Sequence, residues 1–497
     1  MGFVISINIS IFIPILTFFY LKKNLSLNRG LLNIRYNKLY KFLPILFFLT
    51  FQISIPQTKP STEKIYEERV RQIIEEGLRT CYAHKMLREL LKEAPNRFVG
   101  SDGANRAVEW GKKMMEELGF DNVHLEPVTV PRWERGSVEE CVAVLSSGKQ
   151  IPLSVCALGG SISTTKEGIY AEVVEVKSFD ELYSMGEKAR GKIVFYNRQM
   201  DPTKFNTFEA YGGAVNQRSS GAVEASRMGA VASIVRSVTL KVDDVPHTGA
   251  MHYNDSLPPI PSAALSIIGA NLLDSLLAVD PNLKLRLRLS CKMMNDVESA
   301  NVMGEIRGSE KPEEVIVVGG HLDSWDKGEG AHDDGAGCVQ SIEALRILKS
   351  LGLKPKRTIR AVLFMNEEFG LQGGISYASK IRPGEKHIAA IESDMGGFSP
   401  RGFGVSADST TFAKISQWSY LLDMIDAGKI TRGGGGADIS PLARYGVVMI
   451  GLRVDSQRYF DFHHSANDVL DAVHERELEL GAISLAILTY LLAQEGI

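Results

Sequence analysis

Apolar positions in the C-terminal half of the chain follow two alternating rhythms. Val315–Gly319, Thr358–Met365 and His387–Ile391 are short, largely continuous apolar runs, the pattern of strands buried on both faces of a sheet. Between the first two, Cys338, Ile342, Leu345 and Leu348 recur at helical spacing, and Gly352 closes the segment. Strand, helix, strand, helix, strand at this spacing predicts parallel pairing through right-handed crossovers. A further strand, Val447–Leu452, precedes a loop holding His463 and His464. The chain closes with Leu480, Ile483, Ile487 and Leu491 in helical period among acidic residues, which predicts a packed terminal helix rather than a membrane span.

The N-terminal half is patterned differently. Thr62 to Leu91 reads as one amphipathic helix through Ile65, Val70, Ile73, Ile74 and Leu78, stopped by Pro95. Ala107, Trp110, Met114 and Leu118 give a second, ended by Gly119, and a strand begins near Val123. Between residues 153 and 292 short β runs, Ile169–Val176 and Lys192–Tyr196, alternate with glycine-rich turns. There a small-residue helix at Gly221–Ser226 leads into the run Ala230–Val235. The expected fold is therefore α/β: a mostly parallel mixed sheet sandwiched by helices, with an inserted β-rich domain. The expected divisions are a leader and linker over 1–60, a first part of the main domain over 61–152, the insertion over 153–292, and the catalytic part over 293–497.

The first 60 residues carry two apolar stretches. Phe3–Leu21 approaches the length of a bilayer span, although Asn8, Ser10 and Pro14 interrupt it. Phe42–Pro56, behind Lys38 and Lys41, has the form of a signal-peptide core. The basic linker between them, with Lys22, Lys23, Arg29 and Arg35, favours the cytosolic side. This predicts secretion or residence in the secretory-pathway or lysosomal lumen. An uncleaved N-terminal anchor holding a lumenal or extracellular domain is the alternative, as is an upstream extension ahead of the true signal. The sequon Asn254-Asp255-Ser256 agrees with an extracytoplasmic body.

Composition narrows the chemistry. The 497 residues are 44% hydrophobic and 23% charged with a net charge of -3, so there is no basic surplus to suggest nucleic acid. The five cysteines are scattered without a C-x-x-C pair and read as neither a disulfide scaffold nor a structural zinc site. Cys338, just inside a helix, reads as core.

What remains is a constellation after strand ends. His321, Glu367 with Glu368, and Asp394 each follow a predicted parallel strand, where open α/β sheets bind their ligands. Asp333 heads the helix between the first two strands, and one of His463 and His464 completes the set. Imidazole and carboxylate without thiolate suit zinc or a neighbouring divalent metal. Five protein ligands exceed the needs of one catalytic zinc and serve two metals if Asp333 bridges, so that the pair shares a hydroxide. Glu367 is then a free carboxylate available as general base. Asp323 is placed to accept a hydrogen bond from the second nitrogen of His321. His247 and His252 are isolated and read as loop histidines, or else as contacts to a substrate gorge.

The motifs GGHLDSWD, GAHDDGAG, MNEEFGLQGG, ESDMGG and FHHSAND together resemble the co-catalytic zinc exopeptidase family. The stretch from Ala94 to Gly136 is close to a carboxypeptidase branch of it, and the resemblance runs from about residue 65 onward. It implies two zinc ions per subunit: His321 and Asp394 on one, Glu368 and His464 on the other, Asp333 bridging, and Glu367 as base. His464 is preferred because the family's last ligand stands four residues before an Asp, here Asp468. Val469 replaces the family's frequent Thr after that Asp. His463 is then a pocket neighbour or a structural residue, and Tyr459 and Phe460 shape the side-chain pocket or pack in the core. The glycines at 433–436, similar to a family pocket loop or simply a flexible loop, lead to Asp438, a candidate contact for a substrate amino group. The insertion resembles a protease-associated domain, which in relatives narrows the approach to the site or takes part in dimerisation, so a homodimer is implied. The activity implied is hydrolysis of short peptides, foremost dipeptides with free termini. The alternatives are an aminopeptidase on longer peptides, a non-catalytic receptor built on the fold, and a mononuclear amide cyclase of the glutaminyl type.

Overall fold

The computed structural model describes residues 62–380 and 382–497. The apolar segments Phe3–Leu21 and Phe42–Pro56 lie outside the described residues. The central strands form where the sequence is richest in Val, Ile and Ala. Arg357–Phe364, Lys311–His321, Lys386–Glu392 and Val448–Val454 pair in that order, all parallel. Antiparallel strands complete the eight-stranded sheet. Val297–Ile306 and then Asp121–Val130 flank one side, and Pro400–Ser406 with Lys429–Arg432 the other. The four parallel strands therefore deliver their carboxyl ends to one edge of the sheet, which is where the site forms.

Helices cover the sheet as the period predicts. Ala336–Ser350 is buried along almost its whole length beneath the terminal helix Glu475–Glu495. Among the described residues that terminal helix alone is long and apolar enough to cross a membrane. Most of it is buried within the fold, which bears out the packed reading. The N-terminal helical stretch differs from the expectation of one helix. It breaks into Thr62–Thr80 and Tyr82–Glu93 because Cys81 adopts a left-handed backbone conformation (φ 44°). The break re-aims the second helix so that Met86, Leu87 and Leu90 enter the core.

A second eight-stranded sheet is built from the middle of the chain. Its order is Gln150–Leu153, Glu139–Val144, Lys284–Leu289, Ile169–Val176, Ile193–Tyr196, Ala232–Arg236, Ser262–Leu265 and Val155–Ala157. It begins earlier than the expected boundary at 153, since Glu139–Val144 and Gln150–Leu153 pair within it. Nor is it simply β-rich. Its strands from Ile169–Val176 to Ser262–Leu265 run parallel, helices such as Phe179–Met185 and Gly221–Arg227 connect them, and Ile267–Val279 leads from the last of them to the antiparallel strand Lys284–Leu289. All five cysteines are free. Cys338 is buried and donates its thiol to His321 O at 3.0 Å, so it packs under the strand that carries that histidine.

Candidate metal centre

His321 is the last residue of its strand, and Asp394 stands just beyond the end of the neighbouring one. The Glu367–Glu368 turn follows Arg357–Phe364 on the other side. Parallel register thus brings three separate sequence segments to one place. His321 Nε2 lies 3.1 Å from Asp333 Oδ1 and 3.5 Å from Asp394 Oδ1. On the other side of Asp333, His464 Nε2 lies 3.4 Å from its Oδ2 and 3.0 Å from Glu368 Oε2. Asp333 therefore turns one oxygen to each histidine.

The loop that carries Asp333 is held by two further carboxylates, Asp468 and Asp334. Asp468 accepts the backbone N–H groups of His332 (2.7 Å) and Asp333 (3.1 Å). Asp334 turns away from its neighbour and accepts His321 N at 3.0 Å and Gly337 N at 2.8 Å, tying the strand end to the helix start. Gly337 is required at that junction, because a Cβ there would overlap Ser393 O and the Asp334 carboxylate.

One expected role changes. The Asp323 carboxylate lies 3.8 Å from His321 Nδ1, whereas the main-chain oxygen of Asp323 lies 3.0 Å from it. The carboxylate is taken up instead by the Glu367–Glu368 turn, accepting the N–H groups of Asn366 (2.7 Å), Glu367 (3.1 Å) and Glu368 (3.3 Å). Three convergent amides out-compete one imidazole. Asp323 thus shapes the segment bearing two of the predicted residues.

Electrostatics mark the cluster as short of positive charge. Burial, then the neighbouring carboxylates of Asp394, Asp333 and Asp323, push Glu367 up to about 8 against the pull of His321. Burial and Asp333 hold Glu368 well above the carboxylate range, and burial likewise raises Asp394. Burial opposes a charge on His321, yet the facing carboxylates of Asp333 and Asp394 hold it well above an ordinary imidazole. Asp333 Oδ2, Glu368 Oε1 and Asp394 Oδ1 are buried and accept no hydrogen bond. Unfilled buried carboxylate oxygens facing imidazole nitrogens are what a divalent cation satisfies. Three sets of ligating atoms each converge within 4.8 Å: His321, Asp333 and Glu368; His321, Asp334 and Asp394; and Asp333, His463 and His464.

The remaining predicted residues fall close by. His463 stacks on His464 with ring centroids 3.5 Å apart, and its Nε2 stands 4.0 Å from Asp333 Oδ2. Tyr459 is buried against His463 and stacked on Phe208. Asp438 is buried, and neither of its oxygens accepts a hydrogen bond. Burial, then the Glu392 and Glu367 carboxylates, raise it well above the usual range.

Other participants escape the strand-end rule. Trp325 donates its indole N–H to Glu368 Oε2 at 2.6 Å, and its place inside the GGHLDSWD motif was the available signal. Four come from the middle segment, hundreds of residues from their targets. Thr248 N donates to His464 O at 2.9 Å, and His247 Nδ1 contacts His463 O at 2.7 Å. Arg218 Nη1 approaches His464 Nδ1 at 3.3 Å, and Tyr211 sets its ring edge-on to His463. Of the two readings of His247, the loop position is right, but its ring is a buried prop of the histidine loop. His252 is exposed.

Known proteins resemble this chain over most of its length. The profile of Peptidase family M28 matches residues 301–488. Carboxypeptidase Q of Xenopus laevis is 39% identical over 402 residues, covering 80% of this chain and 83% of its own. Carboxypeptidase Q of Bos taurus is 37% identical over 412 residues, covering 83% and 85%. The crystal structure of a Peptidase M28 precursor from Shewanella amazonensis SB2B superposes with a TM-score of 0.83 at 33% identity, covering 88% of this chain and 98% of that one. A zinc aminopeptidase from Bacillus subtilis shares the fold at a TM-score of 0.61 and 19% identity, covering 84% and 96%.

Proposed function

The chain belongs to peptidase family M28, and we propose that it is a zinc-dependent exopeptidase acting on short peptides, foremost dipeptides with free termini. The observation that carries this reading is the symmetric disposition of His321 and His464 about Asp333, with Glu368 and Asp394 at either side. In this reading two zinc ions are held, one by His321 and Asp394, the other by Glu368 and His464, with Asp333 common to both. The orphaned oxygens of Asp333, Glu368 and Asp394 support the fit. Bound zinc supplies Lewis acidity toward a peptide carbonyl and toward water.

The chain's own residues do the rest. Burial and the neighbouring carboxylates push Glu367 up to about 8 when no cation offsets them; bound zinc would lower it again and leave the ionised carboxylate that can take a proton from attacking water and return it to the leaving amine. Asp323 fixes the turn from which Glu367 projects, and Asp468 fixes the backbone of Asp333. His463, Tyr459 and Asp438 border the substrate space, with Asp438 toward the amino end of the peptide. The middle segment acts as a protease-associated-like insertion that clamps the histidine loop. The reading extends to a homodimer in a secretory-pathway, lysosomal or extracellular location, with a membrane contact only through the N-terminal segment.

The test is Glu367→Gln on the purified enzyme, assayed on a dipeptide and on a tetrapeptide sharing its N-terminal residue. Zinc content stays at the wild-type level, turnover falls by at least ~10²-fold, and a chelator abolishes wild-type activity. Retained turnover in the variant removes Glu367 from its role, and faster cleavage of the tetrapeptide favours an aminopeptidase.

A further inference from the structure

A side chain that holds a metal needs a second contact to fix which way it points. For Glu368 the backbone is held by Asp323, but the carboxylate is held from elsewhere. The indole N–H of Trp325 donates to its Oε2 at 2.6 Å, and the same oxygen stands 3.0 Å from His464 Nε2. Among the described residues the indole is the one hydrogen-bond donor on this carboxylate besides that histidine, and Oε1 is buried and accepts nothing. Trp325, Asp333, Glu368 and His464 all line one cavity of about 10 Å³, close to the room that a single water needs.

Trp325 is itself seated by the segment that builds the second sheet. Its ring lies against Gly159, where a Cβ would stand 2.0 Å from the indole Cη2. Gly159 is pinned in turn, its N–H donating to Gly249 O and its oxygen accepting from Met251 N, both at 3.0 Å. The two residues after Trp325 are gripped as well. Arg135 forks onto Asp326 at 2.6 and 2.8 Å, and Lys327 donates to Glu139 at 2.9 Å. Phe98 packs against the ring with centroids 4.8 Å apart, so the indole is buried in a closed slot. We propose that Trp325 is a positioning residue for the metal ion shared by Glu368 and His464, and that the middle segment sets that ion's affinity by seating the indole. This rests on the two-zinc reading above and adds a route by which a segment outside the cluster controls one of its metal positions. The indole bonds to neither His321 nor Asp394, so the ion they share does not depend on it. Losing an outer partner of this kind costs a metal site about 10- to 100-fold in affinity.

The test equilibrates zinc-loaded, full-length protein with chelator-buffered zinc and counts the ions retained, for wild type, Trp325→Phe, Gly159→Ala and Lys327→Met. Trp325→Phe keeps a ring in the slot and removes the N–H. One of its two ions binds about 10- to 100-fold more weakly, the other is unchanged, and excess zinc restores turnover. Gly159→Ala, which touches no ligand, weakens the same ion. Lys327→Met frees one clamp at the half-buried rim, weakens that ion less, and decides the point where Gly159→Ala does not fold. Tryptophan emission gives a second reading, since Trp325 is one of four tryptophans and the one bonded to the cluster. Wild-type emission changes as the more weakly held ion of the variant is filled, and Trp325→Phe loses that change. Both ions weakened alike in Trp325→Phe, or turnover that excess zinc does not restore, assign the indole to folding alone and overturn the proposal. Emission that responds equally without Trp325 overturns it too, and wild-type zinc binding in the folded segment variants overturns the role given to the segment. Wild type that retains no zinc overturns the exopeptidase reading together with the proposal, whereas failures confined to the variants overturn the proposal alone.

Discussion

Replacing Asp323 with Asn tests the point at which tertiary structure reassigned a sequence expectation. The Asp323 carboxylate is fully buried and accepts three backbone N–H groups, from Asn366, Glu367 and Glu368. Asn keeps one acceptor oxygen, which can serve Asn366 and Glu367, but turns an NH2 group toward the N–H of Glu368. The two surviving bonds lose their charge assistance, about 1 kcal/mol each, and one buried N–H is left unsatisfied at about 1–3 kcal/mol. Relief from burying a charge offsets part of this: burial, the largest influence on Asp323, already raises its carboxyl above the ordinary value. The net destabilisation is about 2–4 kcal/mol, concentrated in the turn that carries Glu367 and Glu368.

Two measurements follow from that arithmetic. Urea unfolding of Asp323→Asn gives a lower midpoint, and hydrogen exchange shows lost protection at the amides of residues 366, 367 and 368. The contact of His321 Nδ1 with the main-chain oxygen of Asp323 survives the substitution. The damage therefore appears as misplacement of Glu367 and Glu368, with kcat down about 10²-fold. Wild-type protection at those amides together with zinc lost from the His321 side would refute the reasoning and restore the orienting role expected from sequence.

Two further predictions concern the scaffold. Gly337→Ala forces a Cβ against Ser393 O, a backbone atom that cannot swing aside, and costs about 3 kcal/mol or more. Gly212→Ala, with open space around it in a helix, leaves the urea midpoint unchanged or raised; equal midpoints for the two variants would contradict the packing at the strand–helix junction. Glu479, buried beneath Ala83 and beside Glu343, is pushed up to about 9 by burial and then by the Glu343 carboxylate, from a usual value of 4.5. Between those values the folded protein keeps a proton that the unfolded chain releases, so its stability is full below about 4.5 and declines as pH rises through about 9. Glu479→Gln removes that decline, and its thermal midpoint gains on wild type steadily from pH 5 to pH 9. Parallel pH curves for the two proteins would show that Glu479 ionises freely in the fold.

The apolar rhythm after residue 299 determined the parallel core of the main sheet, because a strand buried on both faces leaves a continuous apolar run that any reader of the chain can find. It also located His321, Glu367, Glu368 and Asp394, since polar residues directly after such runs must emerge at one edge of the sheet. Local pattern was enough for these because side chain and strand are neighbours in sequence.

Contacts between distant segments left no such trace. The break at Cys81 is a backbone conformation hidden inside an unbroken helical period. The second sheet recruits Glu139–Val144 ahead of the texture change at 153, because its pairing with Lys284–Leu289 is decided across more than a hundred residues. Asp323 was seen beside His321 in sequence, but three amides gathered by the neighbouring strand claimed its carboxylate. Arg218, Tyr211, His247 and Thr248 carry no motif that points to the histidine loop. Sequence by itself determined the elements and the chemistry at their ends. Only the packing of one segment on another decided which groups share each charge and hydrogen bond, because those interactions depend on distances of a few ångström that no linear spacing encodes.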